Sequence, residues 1–232
     1  MQRRNFTSAL LSGAALSAWA GAAGPACAAA VTESEAVSGI RAALERGASA
    51  AIQLLGRTDG FLGNPKVRIP LPSFLNDASK LLKLTGQQRQ VDELVTAMNR
   101  AAESAVPEAK TLLVNAVRSM SVEDGRRILT GGDDSATRFF AEKTRTSLSE
   151  RFLPIVAKAT DRVALADKYN ALAGKAAGVG LVSAKDANLQ QYVTGKALDG
   201  LYLTIGEEER KIRSDPVGTG SAVLNKVFGS LR

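Results

Sequence analysis

The chain of 232 residues contains no histidine, one cysteine and one tryptophan. Cys27 and Trp19 both lie in an N-terminal stretch with the features of a removable export signal. Cleavage after Ala28 or Ala30 leaves a mature chain of about 200 residues without His, Cys or Trp. Such a chain cannot form a Ser-His-Asp or Cys-His catalytic group, and it lacks the usual ligands of zinc and copper. Carboxylate pairs, a Ser-Lys dyad and oxygen-only calcium or magnesium sites stay possible, but no such motif stands out, so we expect no metal site and no cofactor.

The first 30 residues have the three zones of a secretory signal peptide. Arg3 and Arg4 precede an uncharged run over residues 5–32, whose middle is apolar and whose end, 26–30, is rich in small residues. The apolar part is too short and too rich in Gly, Ser and Ala for a membrane span. The sequence predicts a signal peptide over 1–30, a periplasmic protein, and no transmembrane helix in the mature chain. The alternative is an apolar first helix of the folded domain, which would show polar positions at a period of 3.6.

The export route has two further alternatives. Arg3-Arg4-Asn5-Phe6 resembles the twin-arginine export signal, but Gln2 and Thr7 depart from its pattern, so this route and the general one stay open. Lipoprotein-type cleavage would leave a lipid on Cys27. The residues before Cys27 are Gly24-Pro25-Ala26, without the Leu usual three positions earlier, and lipid anchoring is therefore the minor alternative.

The charge is moderately basic, and aromatic residues are few. Without Arg3 and Arg4 the formal charge falls from +7 to +5. In an envelope compartment the natural partners of a basic face are an envelope protein, an anionic lipid or a cell-wall polymer, and we expect no nucleic-acid partner there. The alternative is ordinary solvated charge, and the oligomeric state is not predicted. Because aromatics make up only 5% of the chain, we expect small and aliphatic side chains in the core.

Apolar residues recur at helical intervals along most of the mature chain. The sequence predicts a single all-α domain over 31–232, a bundle of about eight helices. The predicted helices cover 32–55, 73–82, 88–104, 107–120, 121–131, a stretch from Asp133 or Ser135 to a kink or stop at Pro154, 183–215, and a last one around 223–228. Between 160 and 173 the pattern is weaker, and 174–180 is predicted to be a turn.

Residues 58–72 interrupt this helical pattern. Gly and Pro recur there, and Lys66-Val67-Arg68-Ile69 alternates like an extended strand. We expect an ordered Pro/Gly-rich loop or a short hairpin lying across the bundle. Lys66 and Arg68 would share one face, where they either bind an anion or protect an exposed edge from aggregation.

Two polar clusters are candidate sites. Glu208 and Glu209 precede a basic turn, Glu209 is spaced to pair with Arg213, and Asp199 lies earlier on the same predicted helix. A solvated, salt-bridged turn is the default interpretation, and an acid/base or cation site is the alternative.

The second cluster interrupts an Ala-rich helix. Asn99, Arg100 and Glu103 form either a buried structural network, which is favoured, or part of a ligand or active site. Glu103, Asp199, Glu208 and Glu209 are weak catalytic candidates, and Lys66, Arg68, Asn99 and Arg100 are ligand-binding candidates.

Several motifs together resemble the bacterial envelope family known as domain of unknown function 4197, in order and over nearly the whole mature chain. They are Phe61-Leu62-Gly63-Asn64, Lys66-Val67-Arg68-Ile69-Pro70-Leu71-Pro72, Met98-Asn99-Arg100-Ala101-Ala102-Glu103, residues 124–129, Ala136-Thr137, Phe152-Leu153-Pro154-Ile155-Val156, Tyr192-Val193-Thr194, Ala197-Leu198-Asp199-Gly200-Leu201-Tyr202, Glu208-Glu209, Ile212-Arg213 and Val227-Phe228-Gly229. One departure is Tyr202 in place of an expected Phe. The resemblance implies an exported, mostly helical single domain, and it implies no activity and no catalytic residues.

These observations favour a non-enzymatic binding or structural protein of the envelope, because the common catalytic side chains are missing. A carboxylate-based hydrolase or lyase acting on envelope polymers is the first alternative. A lipid-binding protein is the second.

Overall fold

The computed structural model describes residues 33–72, 75, 86, 88–161, 163–178, 180 and 186–215, and the regular structure within them is helical. The α-helices are α1 (Glu33–Leu55), α2 (Gln88–Ala105), α3 (Ala109–Arg118), α4 (Val122–Thr130), α5 (Ser135–Thr160), α6 (Ala164–Gly178) and α7 (Leu189–Ser214). A 3₁₀ turn, Val106–Glu108, joins α2 to α3.

The predicted all-α class is confirmed, but the described residues hold fewer α-helices than the eight expected. Six of the seven described α-helices match expected ones, and α6 is an additional helix where the helical pattern was weak. The expected helix around 223–228 and, apart from Leu75, the one over 73–82 lie outside the described residues. The predicted signal peptide over 1–30 also lies outside them.

The central pair of the bundle is α5 and α7. Helix α2 packs on α5, α1 packs on α7 and α3, and α6 packs on α2 and α7. Every helix contributes to one buried apolar core, which is mainly aliphatic and includes the fully buried rings of Phe61, Phe140 and Phe152. None of the helices in the described part of the chain is long and apolar enough to cross a membrane.

Helix α4 begins where its local sequence predicts. The Ser121 hydroxyl accepts a hydrogen bond from the Asp124 backbone N–H at 3.0 Å, and the Asp124 carboxylate accepts one from the Ser121 N–H at 3.0 Å. This reciprocal capping box satisfies two N–H groups that a helix start leaves unpaired. Hydrogen bonds from the Ser121 side chain and backbone, aided by Arg127, lower the pKa of Asp124 to about 2.

Two positions that were expected to interrupt or end a helix lie inside helices. Helix α5 runs through Pro154 to Thr160, because the exposed proline faces solvent while Phe152 and Val156 on either side are fully buried in the core. Helix α6 likewise continues through Gly174 to Gly178, where a turn was expected. Tertiary packing thus offsets the cost of proline and glycine in a helix interior.

Helix α7 starts later than predicted and ends as predicted. Its N-cap is Asn188, whose side chain accepts a hydrogen bond from the Gln191 N–H at 3.0 Å. The helix therefore starts at Leu189 and not at residue 183, which lies outside the described residues. It ends at Ser214, just before the Asp215-Pro216 pair that predicted its end.

The segment over 56–72, called the loop below, crosses the bundle as a series of turns. The backbone N–H groups of Val67 and Arg68 both donate to the Asn64 carbonyl, at 3.2 and 2.8 Å, and Phe61, Val67 and Ile69 are buried. The expected ordered loop is therefore present. The hairpin alternative is wrong, because these residues bond to nearby turns and to α2 and not to a second strand.

Candidate functional site

The loop is attached to α2 by Asn99, Arg100 and Glu103, a set called the loop anchor below. One Glu103 carboxylate oxygen accepts the backbone N–H groups of Phe61 and Leu62, at 3.0 and 3.1 Å. The other oxygen accepts a guanidinium N–H of Arg100 at 2.7 Å. Glu103 is only 5% exposed, so these bonds satisfy a carboxylate that would otherwise be costly to bury.

Asn99 holds the far end of the loop and is fully buried. Its side-chain oxygen accepts the Ile69 N–H at 2.8 Å, and its amide group donates to the carbonyls of Ile69 and Val95 at 2.9 and 2.8 Å. One amide therefore pairs with both backbone groups of Ile69, as a neighbouring strand would. Asn99 therefore holds the loop backbone in place, because its side-chain donors and acceptor are used inside the protein.

Arg100 joins the loop anchor to the start of the loop. It donates to Glu103 and, at 2.8 Å, to Asp59, the one non-glycine residue with a positive φ among those described. The hydrogen bond to Glu103 is the main reason that the pKa of Arg100 is raised. Asn99, Arg100 and Glu103 thus come together as one cluster, while Lys66 and Arg68 lie elsewhere on the loop.

Lys66 and Arg68 are exposed and turn toward different partners. The Lys66 ammonium pairs with Glu207 on α7 at 2.7 Å, and an Arg68 guanidinium nitrogen donates to the Leu62 carbonyl at 3.3 Å. Exposed contacts of this kind contribute little stability and leave both cations accessible to solvent.

The glutamates at the end of α7 point to three different partners. Glu207 pairs with Lys66, and Glu208 pairs with Lys211 at 2.6 Å. Glu209 is 6% exposed and pairs with Arg213 at 2.8 Å, at the predicted i,i+4 spacing. This divergence follows from the rotation of about 100° between successive helix residues.

Glu209 also caps the start of α5. Its two oxygens accept the backbone N–H groups of Ala136 and Thr137, both at 3.0 Å, and the Thr137 hydroxyl at 2.9 Å. A carboxylate at a helix N-terminus is stabilised by the free N–H groups and by the helix dipole. Asp134, the local N-cap residue, makes no side-chain cap bond, so α5 depends on α7 for its cap.

A crevice with an almost wholly apolar lining lies beside Glu209. It is lined mainly by Ile40, Leu44, Ile128, Phe140, Ile205 and Ile212, with about 450 Å³ of empty space that includes the part open to solvent. Arg213 and Glu209 stand at its polar side. This apolar crevice can accept hydrocarbon and offers few hydrogen-bonding groups.

A larger groove, lined by both polar and apolar groups, lies between α5 and α7 and is called the groove below. Its empty space, including the part open to solvent, is about 1150 Å³. The lining includes Arg145, Ser149 and Leu153 of α5, and Thr194, Gly195 and Asp199 of α7. Among the residues predicted as a site, Asp199 alone lies in this groove.

Two positions on α7 make the groove unusual. The Thr194 side chain is 2% exposed, and its hydroxyl oxygen has no hydrogen-bond partner. At the adjacent Gly195, a Cβ atom would meet no other atom within 4 Å. Packing therefore does not explain this glycine in the interior of a helix, where glycine costs about 1 kcal/mol relative to alanine.

Charged groups of both signs stand around these two positions. Arg145 pairs with Asp199 across the groove, and its guanidinium lies 5.6 Å from the centre of the Tyr202 ring. The Lys196 ammonium lies 5.8 Å from the centre of the Tyr192 ring. Attraction to the aromatic faces holds both cationic groups in place beside the groove.

Tyr192 connects the groove to the loop. Its hydroxyl donates to the Pro70 carbonyl at 2.9 Å, and burial raises its pKa to about 12. Because the phenol stays protonated at neutral pH, it acts here as a hydrogen-bond donor to the loop and not as a base.

Sequence reasoning missed Thr194, Gly195, Arg145 and Lys196 as groove residues. One local signal was available, a glycine in the middle of the clearest predicted helix. The weak catalytic candidates do not form one cluster: Glu103 holds the loop, Asp199 lines the groove, Glu208 pairs with Lys211, and Glu209 caps α5. Within the described ranges, no group of three or more Asp, Glu, Cys or His side chains is placed to hold a metal ion.

The fold and these surfaces define a helical-bundle protein with a loop fixed across one face and a groove between its two central helices. The chain belongs to the family described as protein of unknown function DUF4197, whose family model matches residues 30–229. This match confirms the resemblance seen in the sequence motifs. No curated protein and no solved structure matches the chain.

Proposed function

We propose that this chain is a non-enzymatic binding protein of the bacterial envelope, and that the groove between α5 and α7 is its binding site. The observation that carries the proposal is the buried Thr194 hydroxyl without a partner. A buried polar group left unpaired costs about 1–3 kcal/mol, so its presence calls for an explanation. A ligand that bonds to this hydroxyl supplies one.

The other buried threonines show how such a hydroxyl is normally satisfied. Thr144, Thr160 and Thr204 each donate to the carbonyl four residues earlier, at 2.6, 2.9 and 2.9 Å. Thr204 lies on the same helix as Thr194 and has the same exposure, 2%. Helix geometry therefore offers this bond to a threonine of α7, and Thr194 does not use it.

The hydrogen bonds made by the candidate catalytic carboxylates favour a binding function over a hydrolase or lyase. Glu103 and Glu209 each accept hydrogen bonds from backbone N–H groups and from an arginine side chain, so both have structural roles. Asp199 lines the groove together with Asp186, and these two are the carboxylates on which the enzyme alternative now depends. Shortening of a bound polymer, abolished by Asp199→Asn, would favour that alternative.

The apolar crevice favours lipid binding as a second candidate. Its apolar lining suits an acyl chain. A lipid bound there would be insensitive to changes in the groove, because the crevice is formed by α1, α4, the start of α5 and the other end of α7 and shares no lining residue with the groove.

The signal-peptide features of residues 1–30 support the envelope location. The intact mass of protein purified from the envelope tests this part of the proposal. A chain starting at Ala29 or Val31 is expected. A heavier, acylated chain starting at Cys27 would favour lipid anchoring, and a full-length chain would contradict export.

Native mass spectrometry of protein purified from its own envelope tests the binding function. We expect the wild-type protein to retain a bound species. The Thr194→Val substitution removes the hydroxyl and keeps the side-chain shape, and this variant should bind that species more weakly or lose it. Thr204→Val is the matched control, because its hydroxyl already bonds to the Gly200 carbonyl. Equal retention by wild type and both variants would place the ligand outside the groove, and a bound lipid would favour the crevice.

A further inference from the structure

The balance of charge in the groove restricts what it can bind. Arg145 and Lys196 bring two positive charges to the lining, and Asp186 and Asp199 bring two negative ones. Because the charges of these described lining residues cancel, they give no strong attraction to a phosphate or to a polyanion, although the whole chain is basic. The ligand that fits is electrically neutral and makes directed hydrogen bonds.

The Arg145–Asp199 pair presents donors and acceptors side by side. The side chains of these residues are 48% and 54% exposed, so the pair is open to the groove. A guanidinium has five N–H donors and a carboxylate has two acceptor oxygens, and their ion pair uses only some of each. Adjacent hydroxyl groups, each of which both donates and accepts, match this arrangement.

Thr194 and Gly195 form the inner part of the groove. The Thr194 hydroxyl can donate one hydrogen bond and accept two, and it makes none within the protein. Gly195 leaves open space where any other residue would carry a Cβ. A ring can therefore approach the helix closely at Gly195 while one of its hydroxyls bonds to Thr194.

The rim of the groove continues this pattern. Thr146, Ser149 and Gln191 add hydroxyl and amide groups, while Leu153, 37% exposed, adds an apolar surface. Sugar rings carry polar hydroxyls at their edges and apolar C–H groups on their faces, so both kinds of contact are satisfied.

A peptide fits this groove less well. Two common modes of peptide binding add a strand to a sheet edge or place the apolar face of a helix in an apolar groove. The part of the chain that the structure describes contains no strand, and the groove lining has two large aliphatic residues, Leu153 and Leu198. The observations therefore favour a carbohydrate.

We propose that the groove between α5 and α7 is a subsite for a neutral oligosaccharide. Thr194 bonds one ring hydroxyl at the inner end, Gly195 allows the ring to approach the helix, and the Arg145–Asp199 pair bonds two adjacent hydroxyls. This proposal rests on the proposed function, because it names the class of ligand that the binding protein takes.

Isothermal titration calorimetry on the full mature chain tests the ligand class. The probes are pentasaccharides of glucose and of N-acetylglucosamine, with a sulfated oligosaccharide and phosphatidylglycerol vesicles as charged comparisons. We expect at least one neutral pentasaccharide to bind, with an affinity that is unchanged between low and high salt because no net charge is neutralised. Neither charged probe should bind at the groove.

Substitutions on α7 locate the site. Thr194→Val should weaken neutral-sugar binding about tenfold, because one hydrogen bond to the sugar is then left unmade in a buried position. Gly195→Ala should weaken it by a similar factor while the protein stays folded, because its methyl group enters space that the sugar ring would use. Thr204→Val should bind like wild type, and a thermal unfolding transition for each variant verifies folding.

The outcomes separate this proposal from the proposed function. Failure of both neutral pentasaccharides, or equal sugar affinity in wild type and Thr194→Val, overturns the carbohydrate subsite. Binding of the sulfated probe alone, sensitive to Thr194→Val, overturns it as well and leaves the groove as the binding site of an anion. If native mass spectrometry also finds no ligand sensitive to Thr194→Val, both proposals fall.

Discussion

Replacing Gly200 by alanine should destabilise the protein, while the same change at Gly195 should stabilise it. Both glycines lie in the interior of α7, so both substitutions gain about 1 kcal/mol of helix propensity. They differ in what a new methyl group meets. At Gly195 it meets open space, whereas at Gly200 it would lie 2.7 Å from Phe61 Cε1 and 3.3 Å from Val67 Cβ.

The cost at Gly200 follows from how firmly the loop is held. Carbon atoms pack best at about 3.5–4.0 Å, so the Phe61 ring would have to move by about 1 Å. That ring is fully buried, and its backbone N–H is bonded to Glu103. Overpacking of this kind costs about 1–3 kcal/mol, so Gly200→Ala should be less stable than Gly195→Ala by about that amount.

Urea unfolding followed by circular dichroism measures the difference, because the free energy of unfolding is proportional to the midpoint at constant slope. Adding Phe61→Leu to Gly200→Ala should recover part of the loss, since the smaller side chain makes room for the methyl group. Equal stability of Gly200→Ala and Gly195→Ala would refute the close packing of the loop on α7.

Three further predictions concern the buried carboxylates. Glu103→Ala removes the acceptor of two loop N–H groups and should lower the free energy of unfolding in urea by about 2–4 kcal/mol. Hydrogen exchange of those two amides should become faster, and unchanged exchange would show that Glu103 does not hold the loop. Glu209→Ala uncaps α5 and leaves Arg213 without its carboxylate, so a loss of about 3–5 kcal/mol is expected, and a loss below about 1 kcal/mol would count against the cap. Asp124, whose pKa is lowered to about 2 by bonds from Ser121, stabilises the fold above its ordinary pKa, and this contribution is lost as pH falls from about 4 to 2. Thermal unfolding of Asp124→Asn should therefore show a weaker pH dependence than wild type over that range, and identical curves would contradict the assignment.

The features that sequence alone predicted correctly depend on short-range geometry. They are the Ser121–Asp124 capping box, the Glu209–Arg213 pair and the end of α7 before Asp215. Each depends on residues at most four positions apart. Local spacing determines such contacts, because a helix always brings these positions together.

The predictions that failed depend on packing that local patterns do not contain. Pro154 does not stop α5, because the core holds the helix on both sides of it. Residues 66–69 alternate like a strand but form none, because Val67 and Arg68 bond back to Asn64 in a turn and Asn99 of α2 pairs with both backbone groups of Ile69.

The sequence by itself determined the helical class, the family, and the absence of histidine throughout the chain, because composition and periodicity are properties of the chain alone. Only the tertiary structure decided what the buried polar groups do. Glu103 bonds to a loop about 40 residues away, Glu209 bonds to a helix start about 70 residues away, and the Thr194 hydroxyl has no hydrogen-bond partner. The physical reason is that burial makes each of these groups require a partner, and the folded bundle alone determines which partner is near.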